Sequence, residues 1–221
     1  MASLLTTSGL SSFSVVSFFS FFPNRKSPDN LDLEYKRNIF NCGWFIAKDI
    51  YDEQFRHNPG VVDDEKTFRT MQFTHLILNK TVQQTPMSPA YDVVYKSLKV
   101  MVQKCGYEVD DVLRLKFNLL MPHPRFREGQ YNVPHIDDTK WGLQDNQWNL
   151  IYYPDDSDGD TIFFNEKFEG EFVKDRKLTI RERVEPKNNT AVMFKGNIFH
   201  TSSNPIHSDW RMVLNANFTV K

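Results

Sequence analysis

The pattern of hydrophobic and polar positions changes its period once along the chain. Over residues 88–106, Tyr91, Val94, Tyr95, Leu98, Met101, Val102 and Cys105 recur at helical steps, which makes one apolar stripe on an amphipathic helix. Ser88 offers an N-terminal cap, Pro89 suits the first turn and Gly106 supplies the stop. A second, shorter helical piece is expected around residues 31–40. From about residue 111 the period falls to two. In "DVLRLKFNLL", Leu113, Leu115, Phe117 and Leu119 alternate with Arg114, Lys116 and Asn118, the signature of a strand with one buried and one polar face. Short β-like segments recur around 135–137, 148–153, 161–165, 171–174, 178–184, 191–194, 198–201 and 211–219, separated by turn-rich stretches such as "PDDSDGD" and "EPKNN". About eight short strands in one half of a chain predict a mainly β, α+β protein built on an antiparallel jelly roll, a double-stranded β-helix, with N-terminal helices packed on one sheet. The core is expected over about 111–221, within one domain spanning 31–221.

Composition narrows the function classes. With 221 residues and 40% hydrophobic side chains, the chain can bury one substantial core. Lys and Arg number 27 against 28 acidic residues, so no excess of positive charge argues for nucleic acid as an obligatory partner. Cys42 and Cys105 are too few and too isolated for a disulfide framework or a zinc knuckle, and they suit a reducing, cytoplasmic setting. The opening "MASLLTTSGLSSFSVVSFFSFFP" is rich in Ser and Phe, but serines break every apolar run short of the ~20 residues a membrane span needs. Residues 1–30 are therefore read as a separate segment rather than a membrane anchor or a leader.

Candidate chemistry centres on "QYNVPHIDDTKWG". In a strand, His135 and Asp137 would project an imidazole and a carboxylate to the same side. His200, in "FKGNIFHTSSN", offers a third ligand at the mouth of another short strand. Two histidines and a carboxylate on one face of a metal leave positions open, the arrangement suited to non-haem Fe(II). A second H-x-D, His207-Ser208-Asp209, has no later histidine to complete a set and reads as a solvated turn. In "WRMVLNANF", alternation puts Arg211, Val213, Asn215 and Asn217 on one face and Met212, Leu214, Ala216 and Phe218 on the other. If the polar face is inward, the guanidinium of Arg211 awaits an anion. The acidic "PDDSDGDTIFFNE" is not a calcium loop, because Pro154 and Asn165 fall where essential carboxylates belong. No G-x-S-x-G is present, and neither cysteine has an evident activating neighbour.

Taken together, His135-x-Asp137, His200 and Arg211 resemble the Fe(II)- and 2-oxoglutarate-dependent oxygenase superfamily, nearest to its prolyl 4-hydroxylase-like branch, including forms carried by bacterial viruses. The likeness covers roughly residues 70–221. "WNLIYYPDDSDGDTIFF" is similar to the family's second core strand, acidic loop and G-x-T-x-F stretch, with Pro154-Asp155 where Leu-Asn is usual. The resemblance implies that His135, Asp137 and His200 bind Fe(II), that Arg211 pairs with the far carboxylate of 2-oxoglutarate, and that Tyr153 and Asn215 assist it. It also implies hydroxylation of an unactivated C–H bond with O2, releasing succinate and CO2. The expected substrate is a prolyl residue of a peptide or protein, or else a small molecule, and a virus-encoded form would work in its host's cytoplasm. Rivals are a non-catalytic jelly-roll binding or viral structural module and a cupin-like enzyme using no 2-oxoglutarate. His123, Arg125, Arg127, Trp141 and Trp148 are candidates for a substrate-contacting rim.

Overall fold

The computed structural model describes residues 43–47, 62, 65–171 and 177–221. In chain order the elements are β1 (Phe45–Ala47), β2 (Gln72–Asn79), α1 (Tyr91–Lys104), β3 (Val109–Leu120), β4 (Gln147–Tyr153), β5 (Thr161–Lys167), β6 (Ile180–Val184), β7 (Thr190–Lys195), β8 (Ile198–Ser202) and β9 (Arg211–Val220). They form a six-stranded sheet ordered β1-β2-β3-β9-β4-β7 and a three-stranded sheet ordered β6-β5-β8. All named pairings are antiparallel.

Alternation along the strands explains how the layers stack. On β9, Met212, Leu214, Ala216 and Phe218 join Leu115 and Phe117 of β3 in a core on the outer face of the large sheet. The apolar stripe of α1 completes this core, with Val94, Leu98 and Val102 fully buried in it. Between the sheets lies a second core, where Tyr153, Val192, Phe194 and Val213 of the large sheet meet Phe163, Val184 and Ile198 of the small one. A third covers the far side of the small sheet, with Ile162, Phe164 and Phe199 under Val62, Tyr131 and Ile136. Two facing antiparallel sheets with this connectivity make the expected jelly roll.

The single helix described is shorter at its start than its periodicity predicts. Ala90 is its N-cap, because the Ser88 hydroxyl lies 2.8 Å from Nε2 of His75 as well as accepting the Ala90 N–H at 3.2 Å, which holds residues 88–90 in a turn. Its end matches expectation. Gly106 sits at φ 84°, with its N–H donating to Gln103 O and the Tyr107 N–H to Val102 O, the paired bonds that close a helix through a left-handed residue. Among the described residues α1 is the only helix, so a plural helical cover is not supported there, and the piece expected at 31–40 lies outside the described residues.

Other differences have local causes. Strand β2 escapes the period-two reading because a bulge between Leu76 and Leu78 breaks its alternation, and both of its faces are covered. Residues 135–137 form no regular strand, for only His135 makes a ladder bridge there, to His200. Of the strand expected at 171–174, residues 172–174 lie outside the described residues, and Glu171 is in a bend. Cys105 packs at the edge of the first core, where burial pushes its thiol pKa up to about 11. Cys42 lies outside the described residues.

The docking of α1 generates a contrast on one helix. Leu98 is fully buried and Val100 is 50% exposed. Leu98→Ala is expected to cost about 2–5 kcal/mol of unfolding free energy. Val100→Ala should stay within about 0.5 kcal/mol. Chemical denaturation of the two variants against the parent protein measures both.

Candidate metal centre

Backbone pairing brings the two histidines together. The His135 N–H donates to His200 O at 2.9 Å and the His200 N–H to His135 O at 3.0 Å, so the residues stand directly opposite in a hydrogen-bonded antiparallel pair. Directly opposed residues project to the same face, and the rings lie with centroids 4.9 Å apart. Asp137, two residues beyond His135, enters the same space. Ligand atoms of His135, Asp137 and His200 all lie within 4.8 Å of one another.

The two rings are aimed as ligands are. Nδ1 of His135 is 2.8 Å from Val133 O, and Nδ1 of His200 is 3.1 Å from Ile198 O. A carbonyl only accepts, so each Nδ1 carries its proton and each Nε2 presents a lone pair to the shared centre. His200 Nε2 is 3.6 Å from Asp137 Oδ2, beyond hydrogen-bond distance. His200 and Asp137 therefore do not simply satisfy each other, as a non-catalytic reading requires. Two neutral imidazoles and an ionised carboxylate converging on one point fit a divalent transition metal.

Asp137 has 3% of its side chain exposed, and its charge is met by β3 and β9. Arg114 Nη2 donates to Oδ1 at 2.6 Å, Asn217 Nδ2 to Oδ2 at 2.9 Å, and Asn215 Nδ2 reaches Oδ1 and Oδ2 at 3.2 and 3.4 Å. Arg114 is itself fixed by Nε donating to Asn217 Oδ1 at 2.7 Å. Burial works to raise the Asp137 pKa, but Arg114 and the other nearby cationic groups outweigh it and hold the carboxyl well below the usual carboxylate range. For the histidines, burial is the main cause in the other direction. It lowers His135 to about 3, helped by His200, and it lowers His200 as well. Burial and the neighbouring Arg114 pull Lys116 down to about 8.

The centre opens into a cavity of about 400 Å³ between the sheets, lined in part by Arg114, Lys116, Asn118, Thr161, Arg211 and Asn215. The polar face of β3 thus meets this cavity instead of bulk water. Arg211 is 3% exposed, with Nε donating to Gly159 O and Nη2 to Thr161 Oγ1, each at 2.7 Å. Tyr153 is fully buried and donates its hydroxyl to Thr161 Oγ1 at 2.8 Å, and burial pushes its pKa up to about 12. Thr161 therefore accepts two hydrogen bonds and has its own proton left to donate into the cavity. Sequence reasoning passed over Thr161, Arg114, Lys116 and Asn217 as site residues. The G-x-T stretch was the available signal for Thr161, and the inward alternation of Arg211 was that for Asn217.

The proposed rim is placed elsewhere. Trp148 is 2% exposed in the core beneath α1, in tilted contact with the Tyr107 ring and under the Lys195 ammonium. Neither Trp141 nor His123, Arg125 and Arg127 lines the cavity. Arg127 instead donates to the carbonyls of Pro124 and Phe126, which stiffens its own loop. The second H-x-D is a turn organised by Asp158, whose carboxylate accepts the N–H groups of Ile206, His207 and Ser208 at 3.0, 2.8 and 3.1 Å. Partial burial opposes those bonds, but they hold the Asp158 pKa down at about 2.

No protein-family model matches the chain, and no curated protein matches it either. Solved structures do. An oxidoreductase of the 2OG-Fe(II) oxygenase family from Burkholderia pseudomallei aligns with a TM-score of 0.54 at 10% identity, over 85% of this chain and 78% of that one. This is the fold of the 2-oxoglutarate- and Fe(II)-dependent oxygenases. EvdMO1 aligns with a TM-score of 0.50 at 13% identity, over 92% of this chain but 47% of its own length. At such identity the likeness speaks for the oxygenase fold alone, and the chemistry rests on the side chains. No helix among the described residues is long and apolar enough to cross a membrane.

Two predictions follow from this geometry. A Cβ on Gly159 would meet Arg211 Cδ and Ser203 O at 2.8 Å each. Gly159→Ala is therefore expected to push Arg211 out of place and to cost about 1–3 kcal/mol in denaturant unfolding. The second concerns acid. His135 has a folded pKa of about 3 against an ordinary value of 6.5, so the folded state takes up this proton less readily than the unfolded state. Its contribution to stability is fully present above about pH 6.5 and is lost progressively as pH falls toward 3. The melting temperature of metal-free protein should drop across that window, and less steeply in His135→Gln.

Proposed function

We propose that the chain is an Fe(II)- and 2-oxoglutarate-dependent dioxygenase that hydroxylates an unactivated C–H bond. The observation that carries this reading is the convergence of His135 Nε2, His200 Nε2 and the Asp137 carboxylate at the floor of a cavity whose wall holds a buried guanidinium, Arg211. Bound iron, cosubstrate and O2 supply the oxidising chemistry: 2-oxoglutarate leaves as succinate and CO2, and one oxygen atom enters the substrate.

The protein's share follows from its side chains. His135, Asp137 and His200 hold the metal on one side and leave the cavity side open. Arg211 takes the far carboxylate of 2-oxoglutarate: its Nε and Nη2 are anchored to Gly159 and Thr161, and a carboxylate entering the cavity it lines would offset its buried charge. Thr161 donates its hydroxyl proton to the same carboxylate. Tyr153 acts one step back, since its hydroxyl bonds to Thr161 and fixes that oxygen beside Arg211. Asn215 stands between the two ends, its amide on Asp137. Phe194 and Phe163, with ring centroids 4.8 and 6.4 Å from that of His200, keep water from the back of the centre. Prolyl peptides are the first substrates to try, on the strength of the resemblance. Incubation with candidate peptides and small molecules should give a product heavier by one oxygen in mass spectrometry.

The experiment that tests the reading is Fe(II) titration with succinate release. One Fe(II) per chain and succinate formed only with 2-oxoglutarate are expected. Asp137→Ala and His200→Ala should abolish both, whereas Arg211→Met should keep the iron and weaken 2-oxoglutarate about 100-fold. Iron binding in the Asp137→Ala variant, or unchanged cosubstrate affinity in Arg211→Met, would remove the basis of the assignment.

A further inference from the structure

The cavity wall carries more positive charge than a metal centre and one cosubstrate account for. Three cationic side chains line it: Arg114, Lys116 and Arg211. Arg114 is committed to Asp137 and Asn217. Arg211, on the functional reading above, is committed to 2-oxoglutarate. Lys116 is left over, and among the described residues its ammonium has no hydrogen-bond partner.

Its surroundings explain why no internal partner is available. Lys116 lies opposite Asn215 in the β3–β9 register, between the Arg114–Asn217 and Asn118–Val213 pairs. The Asp137 carboxylate is already covered by Arg114, Asn215 and Asn217. Asp138, the other carboxylate of the lining, turns its Oδ1 to the N–H groups of Lys140 and Trp141 at 2.8 and 3.0 Å. Next along the strand on the same face, Asn118 accepts the Thr74 hydroxyl at its Oδ1, which leaves its amide N–H groups for the cavity. An ammonium and an amide donor thus stand side by side on one wall, with no acceptor hydrogen-bonded to either among the described residues. A half-buried ammonium whose nearby carboxylate, Asp137, is hydrogen-bonded to other donors is costly, and an anion arriving from outside lowers that cost.

We propose that Lys116 and Asn118 form a second anion site that binds a carboxylate of the substrate, so that the substrate class is a small molecule with a free carboxylate. This rests on the assignment of Arg211 to the cosubstrate. On the β3 wall Lys116 stands opposite Asn215, whose amide reaches Asp137, while Asn118 stands opposite Val213, two residues from Arg211 on β9, so the substrate and cosubstrate carboxylates are bound by neighbouring strands. Charge decides the choice of class: an internal residue of a peptide has no carboxylate of its own backbone to offer, whereas a small acid, or its amide lacking the charge, differ at the one group Lys116 would read.

The test uses Zn(II)-loaded protein saturated with 2-oxoglutarate and titrated calorimetrically with N-acetyl-L-proline, N-acetyl-L-leucine and the primary amide of each. At least one acid is expected to bind at least about ten-fold more tightly than its amide. Lys116→Met should erase that difference while leaving 2-oxoglutarate affinity within about two-fold, and Lys116→Arg should retain it, with melting curves showing that both variants fold. Equal binding of acid and amide, an acid preference that survives in Lys116→Met, or no binding by either acid overturns the inference. So does a ten-fold loss of 2-oxoglutarate affinity in Lys116→Met, which would give the lysine to the cosubstrate. If the parent protein takes up neither Zn(II) nor 2-oxoglutarate, the functional reading itself fails, and that outcome is visible before any acid is added.

Discussion

The Asp137 carboxylate, withdrawn from water and met by one guanidinium and two amides, is the interaction on which the rest of the structure depends. Burying an ionised carboxylate is expensive, and only matched charge and complete hydrogen bonding offset it. The partners come from the two strands at the middle of the large sheet, Arg114 from β3 and Asn215 and Asn217 from β9. Those strands must therefore carry polar side chains on a face that would otherwise be filled with hydrocarbon. Arg114 is tied to Asn217 on the neighbouring strand, and Asn217 to Asn149 of β4, so the arrangement spans three adjacent strands. The opposite faces of β3 and β9 then bear the packing, with Leu115, Phe117, Leu214 and Phe218 fully buried under α1.

This division sets the electrostatics of the centre. A guanidinium bonded to a metal-facing carboxylate withdraws part of its negative charge, which weakens it as a donor to a cation. The same positive charge, with Lys116 and Arg211 on the cavity wall, strengthens the attraction for anions entering the cavity. On the proposed reading, this balance would favour acidic ligands over a tightly held metal. Neutral histidines belong to the same logic, because burial and surrounding positive charge both oppose their protonation. The rings therefore hold their lone pairs ready over the pH range in which an exposed histidine would have become charged.

The parts of this arrangement that were legible in the sequence are those with a short-range signature. The alternation of Arg211 to Phe218 identified both faces of β9, the stripe from Val94 to Val102 identified the helix, and Gly106 marked its end. The union of His135, Asp137 and His200 was legible as chemistry, by residue type and by resemblance, but its physical cause is the mutual hydrogen bonding of the two histidines' backbones, which no local pattern encodes. Arg114 and Lys116 were read as the polar side of an exposed-looking strand. Period-two alternation separates two faces without saying which polar face meets water and which meets a cavity. Trp148 was misplaced for the converse reason, since on a central strand covered on both sides an aromatic gives no sign of which layer it faces. The bulge in β2 removed the alternation that would have announced that strand.

The two H-x-D triplets show what separates a ligand pair from a coincidence. His207-Ser208-Asp209 has the same residue types at the same spacing, yet its backbone is spent on a turn. Three consecutive N–H groups, from Ile206 to Ser208, point at the Asp158 carboxylate. A chain wrapped around an acceptor in this way cannot also lie along a neighbouring strand, so nothing aligns that imidazole with a second one. His135 follows Pro134, whose fixed φ suits extended chain, and its own N–H and C=O are both engaged by His200. The ladder bond fixes the position of the ring, the Val133 carbonyl fixes its tautomer, and the next turn of the chain delivers the carboxylate. What specifies the centre is thus the hydrogen bonding of the backbone around the triplet, and the triplet acquires chemical meaning only where that backbone has a partner strand bearing another histidine.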